Sequence, residues 1–364
     1  MSHRTLIFGV ESSCDETSCA VVADGRHVLS NVVASQIDLH ARFGGVVPEI
    51  ASRAHIEAVN TVIAQALDQA GVAPRDIHAV AVTHEPGLIG SILVGMMAAK
   101  TLAWVWDVPL VGVNHVYAHA YAAALNAQPI EYPAVALICS GGHTALYRCE
   151  GPTRLELLGS TIDDAAGEAF DKVAGILKLG YPGGPVIDKI ARGANPQAVR
   201  FPRSLLAGQS LDFSFSGLKT AVLYHVNGLP RSTRRRETSP GTVGAAEPPA
   251  PERPKGAENF SARELADIAA SFQAAVVDVL KIKLRRAARF AKARTLILGG
   301  GVAANSVLRQ ALTELADRMH CTLRLPELRF CLDNAAMVAG LAWHYLDAPA
   351  AGGLDLEARA TVKR

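Results

Sequence analysis

Two histidines stand four residues apart in His115-Val116-Tyr117-Ala118-His119, inside an alanine-rich run that favours helix. That spacing sets both imidazoles on one helix face, one turn apart, where they can share a metal ion. Two ligands do not complete a site. The sequence offers Asp333 as a third, in Cys331-Leu332-Asp333-Asn334-Ala335-Ala336-Met337. Asp333 is open to two readings, a metal ligand or the N-cap of the helix that follows. A His/His/Asp set suits Fe2+ or Zn2+ and leaves positions for a substrate oxygen. The same spacing occurs in the H-E-x-x-H helix of zinc proteases, but Val116 stands where that chemistry needs its glutamate base, which argues against peptide hydrolysis.

Several glycine turns could receive an anion. Ser140-Gly141-Gly142-His143-Thr144 follows an apolar strand, and its two glycines allow close backbone approach to a phosphate or carbonyl; a plain hairpin turn is the other reading. Gly299-Gly300-Gly301 precedes Asn305, which could bond a nucleotide hydroxyl or cap a helix. Tyr181-Pro182-Gly183-Gly184-Pro185 is a rigid turn with room at Gly184. Acidic residues flank these turns: Asp15 and Glu16 in a first hairpin loop, and Asp163, Asp164, Glu168 and Asp171 between Thr161 and Lys172. Carboxylates beside a phosphate loop hold metal, orient a nucleophile or bind ribose, or they are solvated turns.

The elements that must position these groups are written twice. Leu6–Val10 and Ala20–Ala23 read as strands around a polar loop, followed by an Asp24-Gly25 turn. Ala134–Cys139 and Ala145–Cys149 repeat this, followed by Glu150-Gly151. Each half then has a strand, a glycine turn and a helix: Ile77–Thr83, Pro86-Gly87 and Ser91–Trp106; Thr295–Leu298, Gly299–Gly301 and Asn305–Leu315. The alternation predicts a duplicated α/β protein with mainly parallel sheets covered on both faces and a nucleotide site between two lobes. The expected lobes are residues 1–130 and 131–346, with a flexible tail over 347–364. Residues 228–259, which carry Arg234-Arg235-Arg236 and a Pro/Gly/Ala/Glu stretch, read as a disordered insert. The helix after it, Ala262–Phe290, opens with a Ser261/Glu264 capping box, and its basic second half reads as a solvated face or a nucleic-acid contact.

Composition narrows the partners. Net charge is +2 and aromatics are 5%, so a broad base-stacking platform is not expected. Six cysteines form no C-x-x-C pair, no signal peptide or membrane span is expected, and a cytoplasmic protein with reduced thiols is.

Ordered motifs along the chain resemble those of tRNA N6-adenosine threonylcarbamoyltransferases, the TsaD family. They are Gly9-Val10-Glu11-Ser12-Ser13-Cys14-Asp15-Glu16-Thr17, Gly44-Gly45-Val46-Val47-Pro48-Glu49, Pro86-Gly87-Leu88-Ile89-Gly90 and Ser140–Thr144. Further along come Asp163–Lys172, Tyr181–Pro185, Asp212–Thr220, Gly300–Asn305 and Asp333–Met337. The resemblance implies an actin/Hsp70/sugar-kinase-like fold and transfer of threonylcarbamoyl from threonylcarbamoyl-AMP to N6 of the adenosine 3′ of the anticodon, in tRNAs reading codons that begin with A. It implies one divalent metal, Fe2+ before Zn2+, on His115, His119 and Asp333. It implies substrate binding by Ile138, Cys139, Ser140, Gly141, Gly142, Asp171, Gly184, Asp188 and Asn305, with Asp15 and Glu16 near the reacting centre as catalytic acids. The implied partners are tRNA, a paralogous non-catalytic subunit and a small ATPase, with no membrane. Tyr117 departs from the family's usual glutamate between the histidines. A carbamoyltransferase or small-molecule kinase of the same fold is the alternative; a kinase needs only Mg2+ on carboxylates and phosphate, so the histidine pair with Asp333 separates the two.

Overall fold

The computed structural model describes residues 4–206, 208–228, 256–346 and 352–361. Its frame is two five-stranded sheets of one design. In the first lobe β1 (Leu6–Glu11), β2 (Glu16–Ala23) and β3 (His27–Ser35) form an antiparallel meander, and β4 (Ala79–Glu85) and β5 (Leu110–Asn114) add in parallel on the far side of β1. In the second lobe β6 (Ala134–Cys139), β7 (Thr144–Gly151) and β8 (Arg154–Ser160) form the meander, with β9 (Thr295–Gly299) and β10 (Thr322–Arg324) in parallel beyond β6. This repeated order is the duplicated actin-like architecture.

The sheets are therefore mixed, not mainly parallel as the alternation predicts. Short turns return the chain beside itself at the start of each lobe. At Asp24-Gly25 both central residues have positive φ (51° and 69°), the twist that a two-residue hairpin needs. The parallel additions need long crossovers. In the first lobe these are α1 (Ile37–Ala41) with α2 (Pro48–Ala70), then α3 (Ile89–Trp106). In the second they are α5 (Ala166–Ile176), α6 (Gly183–Ile190), α7 (Ser216–Asn227) and α8 (Ala262–Ala291), then α9 (Ser306–Met319).

Two helices join the lobes. The first, α4 (His115–Tyr121), leaves β5 and packs on β6 and β9 of the second sheet. The second, α10 (Ala335–Ala342), comes from the end of the second lobe yet lies on the first sheet, with Met337, Val338 and Leu341 in that core. Gly9 makes this possible: a Cβ there would collide with the carbonyl oxygen of Ala335. Ser18 Oγ and Asn31 Oδ1 accept from the first N–H groups of α10, Ala335 and Ala336, at 2.9 and 3.2 Å.

Two expectations change on folding. Over residues 352–361 the tail is a strap on the first lobe: Leu356 packs against Gly112, Arg359 N donates to His84 O at 2.8 Å and Gly87 N donates to Ala360 O at 3.2 Å. A tail that carries its own apolar side chains into a glycine-lined recess is held rather than free. The basic half of α8 is only partly solvated, because Lys283 is buried and donates to the carbonyls of Leu205 and Ser210, both at 2.9 Å. Among the described residues α3 is long and apolar enough to cross a membrane, by length and composition only; here it packs on α2 and β4. The Ser261/Glu264 box does form, with Ser261 N to Glu264 Oε2 at 2.8 Å and Glu264 N to Ser261 Oγ at 3.3 Å.

Of the expected insert, residues 229–255 with Arg234–Arg236 lie outside the described residues. Its end does not: Ala257 is buried in the second core, and Gly256 N donates to Val226 O at 3.1 Å. The chain thus leaves α7 and returns at almost the same point. Replacing 229–255 by a short Gly/Ser linker should shift the melting temperature by no more than about 2 °C, since closing a shorter loop costs little. Calorimetry on the deletion variant checks this, and a fall of roughly 8 °C or more would show that the segment stabilises the lobe.

Candidate metal centre between the lobes

The histidine helix starts where it does because Asn114, at the end of β5, caps it. Its Oδ1 accepts from Val116 N and Tyr117 N at 3.0 and 3.2 Å. This fixes His115 and His119 on one face, with ring centroids 4.6 Å apart. Asp333 arrives from the other end of the chain. It does not cap α10, since Asn334 Oδ1 takes that role by accepting from Met337 N at 3.0 Å. Asp333 is thereby free to face the histidines, with Oδ1 at 3.2 Å from His119 Nε2 and 3.5 Å from His115 Nε2. One ligand atom from each of the three lies within 4.8 Å of the others.

The group fits a metal ion on two observations. His119 is 1% exposed, its Nδ1 has no hydrogen-bond partner, and its Nε2 faces the Asp333 carboxylate without an aligned hydrogen bond. Leaving a buried polar atom unsatisfied costs about 1–3 kcal/mol, a cost that coordination removes. The charges also converge. Burial disfavours the Asp333 carboxylate, but the charge of His115, with the His119 ring beside it, holds its pKa well below the usual range. Burial likewise lowers His119, keeping it in the neutral form that binds metal. Burial pulls His115 down too, but Asp333 and Glu11 outweigh it and raise it to about 9, so the metal-free ring carries a second proton at neutral pH, and a bound ion would take that proton's place.

The other expected residues surround this point unevenly. Glu16 is the first residue of β2, not a loop residue, and it and Asp15 are nearly buried. Burial, then Asp333 and Asp15, push the Glu16 carboxyl well above its ordinary value. Asp15 faces the second lobe closely enough to add to the burial that raises Asp171 and Tyr181. The loop Ser140–His143 is a hairpin turn, with His143 N donating to Ser140 Oγ at 3.2 Å, and its Gly141 and Gly142 are exposed with open space around them. Burial and the charges of His115 and His119 lower His143 to about 4, which sets this turn beside the histidine pair. Ile138 and Cys139, by contrast, have wholly buried side chains in two cores, so only their backbone can serve a ligand.

Farther along, three expected binding residues set helix starts. Asp171 Oδ1 accepts from Gly183 N at 2.7 Å, beside the open Gly184 at the start of α6. Asp188 Oδ1 accepts from Ser306 Oγ at 2.8 Å, and Asn305 Oδ1 caps α9 through Leu308 N at 2.9 Å. Asp188 and Asn305 thus serve the same helix start although far apart in sequence. The remaining acids are structural: Asp163 accepts from Ser214, Phe215 and Ser216 at the start of α7, and Asp164 pairs with Lys172 and Lys219.

Sequence reasoning passed over Glu11 as a site residue. It is 0% exposed, and its Oε2 lies 3.0 Å from His115 Nδ1. An acid closing an otherwise apolar strand, LIFGVE, was the available signal.

Comparison with known proteins gives the family. Residues 27–340 match the model of a family described as tRNA N6-adenosine threonylcarbamoyltransferase, TsaD. A protein of that name from Trichlorobacter lovleyi is 49% identical over 98% of this chain and 96% of its own length. Another from Symbiobacterium thermophilum is 49% identical over 97% and 95%. Among solved structures, full-length HypF superposes with a TM-score of 0.56 at 12% identity, over 96% of this chain and 47% of that one, a likeness of fold alone. Motifs, site and relatives converge: the chain belongs to the tRNA N6-adenosine threonylcarbamoyltransferase family, enzymes of the transferase class that modify tRNA.

Proposed function

We propose that this chain transfers threonylcarbamoyl from threonylcarbamoyl-AMP to N6 of the adenosine 3′ of the anticodon, in tRNAs reading codons that begin with A, with one Fe2+ or, second, Zn2+ on His115, His119 and Asp333. The observation that carries the reading is this buried three-ligand group, assembled from the two ends of a chain that is 49% identical to named relatives over nearly its whole length.

The chemistry explains the arrangement. An adenine amine is a weak nucleophile, so the acyl donor must be strongly activated, as a carbamoyl-phosphate anhydride is. N6 attacks the carbamoyl carbon, AMP leaves with the electrons of the broken C–O bond, and N6 loses one proton. The metal, when bound, supplies a positive charge to a substrate oxygen. The open Gly141-Gly142 turn can present N–H groups to an anionic oxygen of the donor. Glu16, whose carboxyl is pushed upward by its surroundings, is the better matched of the two acids for taking the N6 proton. Asp15 looks across at Asp171 and Tyr181 and would orient the substrates. Much of the acceleration would come from holding two substrates in register, which can recover ~7–11 kcal/mol. The target base must leave its stack to enter. Such a reaction places the protein in the cytoplasm with its tRNA.

One surface supports the protein-partner reading. Along α3, Ile89, Leu93, Met97 and Trp104 are exposed at helical spacing, Trp104 at 74%, and Ile56 of the neighbouring α2 is exposed beside them. An apolar stripe of this kind on a well-packed helix suits a partner subunit. The test is reconstitution with the paralogous subunit, the small ATPase, threonylcarbamoyl-AMP and unmodified tRNA, read by mass spectrometry of nucleosides. Modified adenosine is expected from the wild type, and a Met97→Glu variant should yield at least about tenfold less at limiting partner concentration. A mixture that modifies no tRNA but phosphorylates a small molecule would overturn the reading.

A further inference from the structure

Glu11 makes no contact with solvent, yet it is a carboxylate whose three neighbours come from the loop after β1, from β4 and from α4. Its Oε1 accepts from Ser13 N at 2.6 Å, and its Oε2 accepts from Thr83 Oγ1 at 2.6 Å. The third neighbour is His115 Nδ1 at 3.0 Å. We propose that Glu11 is a positioning residue for the metal, fixing His115 in the tautomer that turns a bare Nε2 toward Asp333 and His119.

The argument is one of donors and acceptors. An ionised carboxylate can only accept, so the imidazole atom facing it must carry hydrogen. Ser13 Oγ also lies 3.1 Å from Nδ1, but a charged acceptor binds the proton more strongly than a hydroxyl. With hydrogen on Nδ1, Nε2 is left as a lone pair in the neutral ring. That lone pair is 3.5 Å from Asp333 Oδ1, and His119 Nε2 is 3.2 Å from the same oxygen. Electron-rich atoms gathered this closely need a positive charge among them, a proton in the metal-free protein and a metal ion when one is bound. Glu11 thus does for His115 what carboxylates commonly do for metal-bound histidines, orienting the ring and raising its basicity. Glutamine at position 11 could turn its NH2 toward Nδ1, which would push hydrogen onto Nε2 and block the metal. If it instead kept its oxygen toward His115, its NH2 would face the Ser13 N–H, donor against donor.

The inference rests on the metal reading and is tested so that the two fail separately. Zinc is the probe: the full chain is stripped with chelator and reloaded, and affinity is measured by competition with a chromophoric chelator. Glu11→Gln should bind zinc about 10–100-fold more weakly than wild type. Thr83→Val removes a bond to the same carboxylate without altering the tautomer and should stay within about threefold. In the zinc-loaded wild type, 15N-edited spectra of the imidazoles should show His115, assigned by its absence in His115→Ala, protonated at Nδ1 and metal-bound at Nε2. That measurement stands even if Glu11→Gln fails to fold. Unchanged zinc affinity in Glu11→Gln, or a His115 protonated at Nε2, overturns the role of Glu11 and leaves the metal site standing. A wild type that binds no zinc overturns both.

Discussion

Alanine at His115, His119 or Asp333 is expected to weaken metal binding by at least about 100-fold and to abolish formation of the modified nucleoside. Three protein donors are the usual minimum for a retained catalytic metal, and loss of an outer contact alone costs 10–100-fold. The three side chains are buried or half-buried, and one ligand atom from each lies within 4.8 Å of the others, so losing one leaves two donors. Elemental analysis after gel filtration reads the metal directly. Thermal melting gives a second readout. An ion at 100 times its dissociation constant stabilises the folded state by about 2.7 kcal/mol, so chelator should lower the melting temperature of the wild type and leave that of the variants where it was. Equal metal content in wild type and all three variants would remove the assignment.

How much of this could be read beforehand depended on whether the cause was local. The histidine pair was legible because helical spacing is a local property, and α4 begins at His115 on a cap that sits one residue before it. Asp333 was legible only through the family resemblance, because its meeting with His119 depends on where α10 folds, more than two hundred residues later in the chain. Sequence alone favoured a cap there, and a cap does exist, one residue on at Asn334. The duplicated strand-turn-strand pattern was visible, whereas the order of strands in each sheet was not. Alternating strands and helices suggest parallel pairing, but a hairpin turn such as Asp24-Gly25 overrules that locally. Glu11 lay in a quoted motif and still went unnoticed as a site residue, since its role follows from Thr83, Ser13 and His115 converging in three dimensions. The tail misled for the converse reason: its composition is unremarkable, and what holds Leu356 is a recess at Gly112 that no pattern near residue 356 announces.

Glutamine at position 16 is expected to abolish transfer and, in the metal-free protein, to raise stability above neutral pH. Glu16 is nearly buried, and burial followed by the charges of Asp333 and Asp15 raises its pKa well above the ordinary carboxylate value. In the unfolded chain it titrates near ~4.3. Between that value and its raised native value the folded state therefore holds more protons than the unfolded state, and stability falls as pH rises through the window. Below the window the group costs nothing by this route; above it the whole cost is present, about 1.4 kcal/mol for each pH unit by which the pKa is raised. A glutamine side chain cannot titrate and escapes the cost. The melting temperature of Glu16→Gln minus that of wild type, both with chelator, should thus be near zero at pH 4 and reach several degrees by pH 8. A bound divalent ion would favour the ionised form of Glu16, so adding metal should shrink the difference. Activity should move the other way. A general base contributes about 10²–10⁴-fold, so turnover should fall by that factor where wild-type Glu16 is ionised, and the difference should shrink along the acid limb of the wild-type rate profile, which should lie above the ordinary carboxylate range. Asp15→Asn is the control: loss of substrate orientation should act chiefly on KM. A Glu16→Gln enzyme that retains wild-type turnover would show that the proton leaves by another group, and a stability difference that does not grow with pH would show that Glu16 is not held protonated by its surroundings.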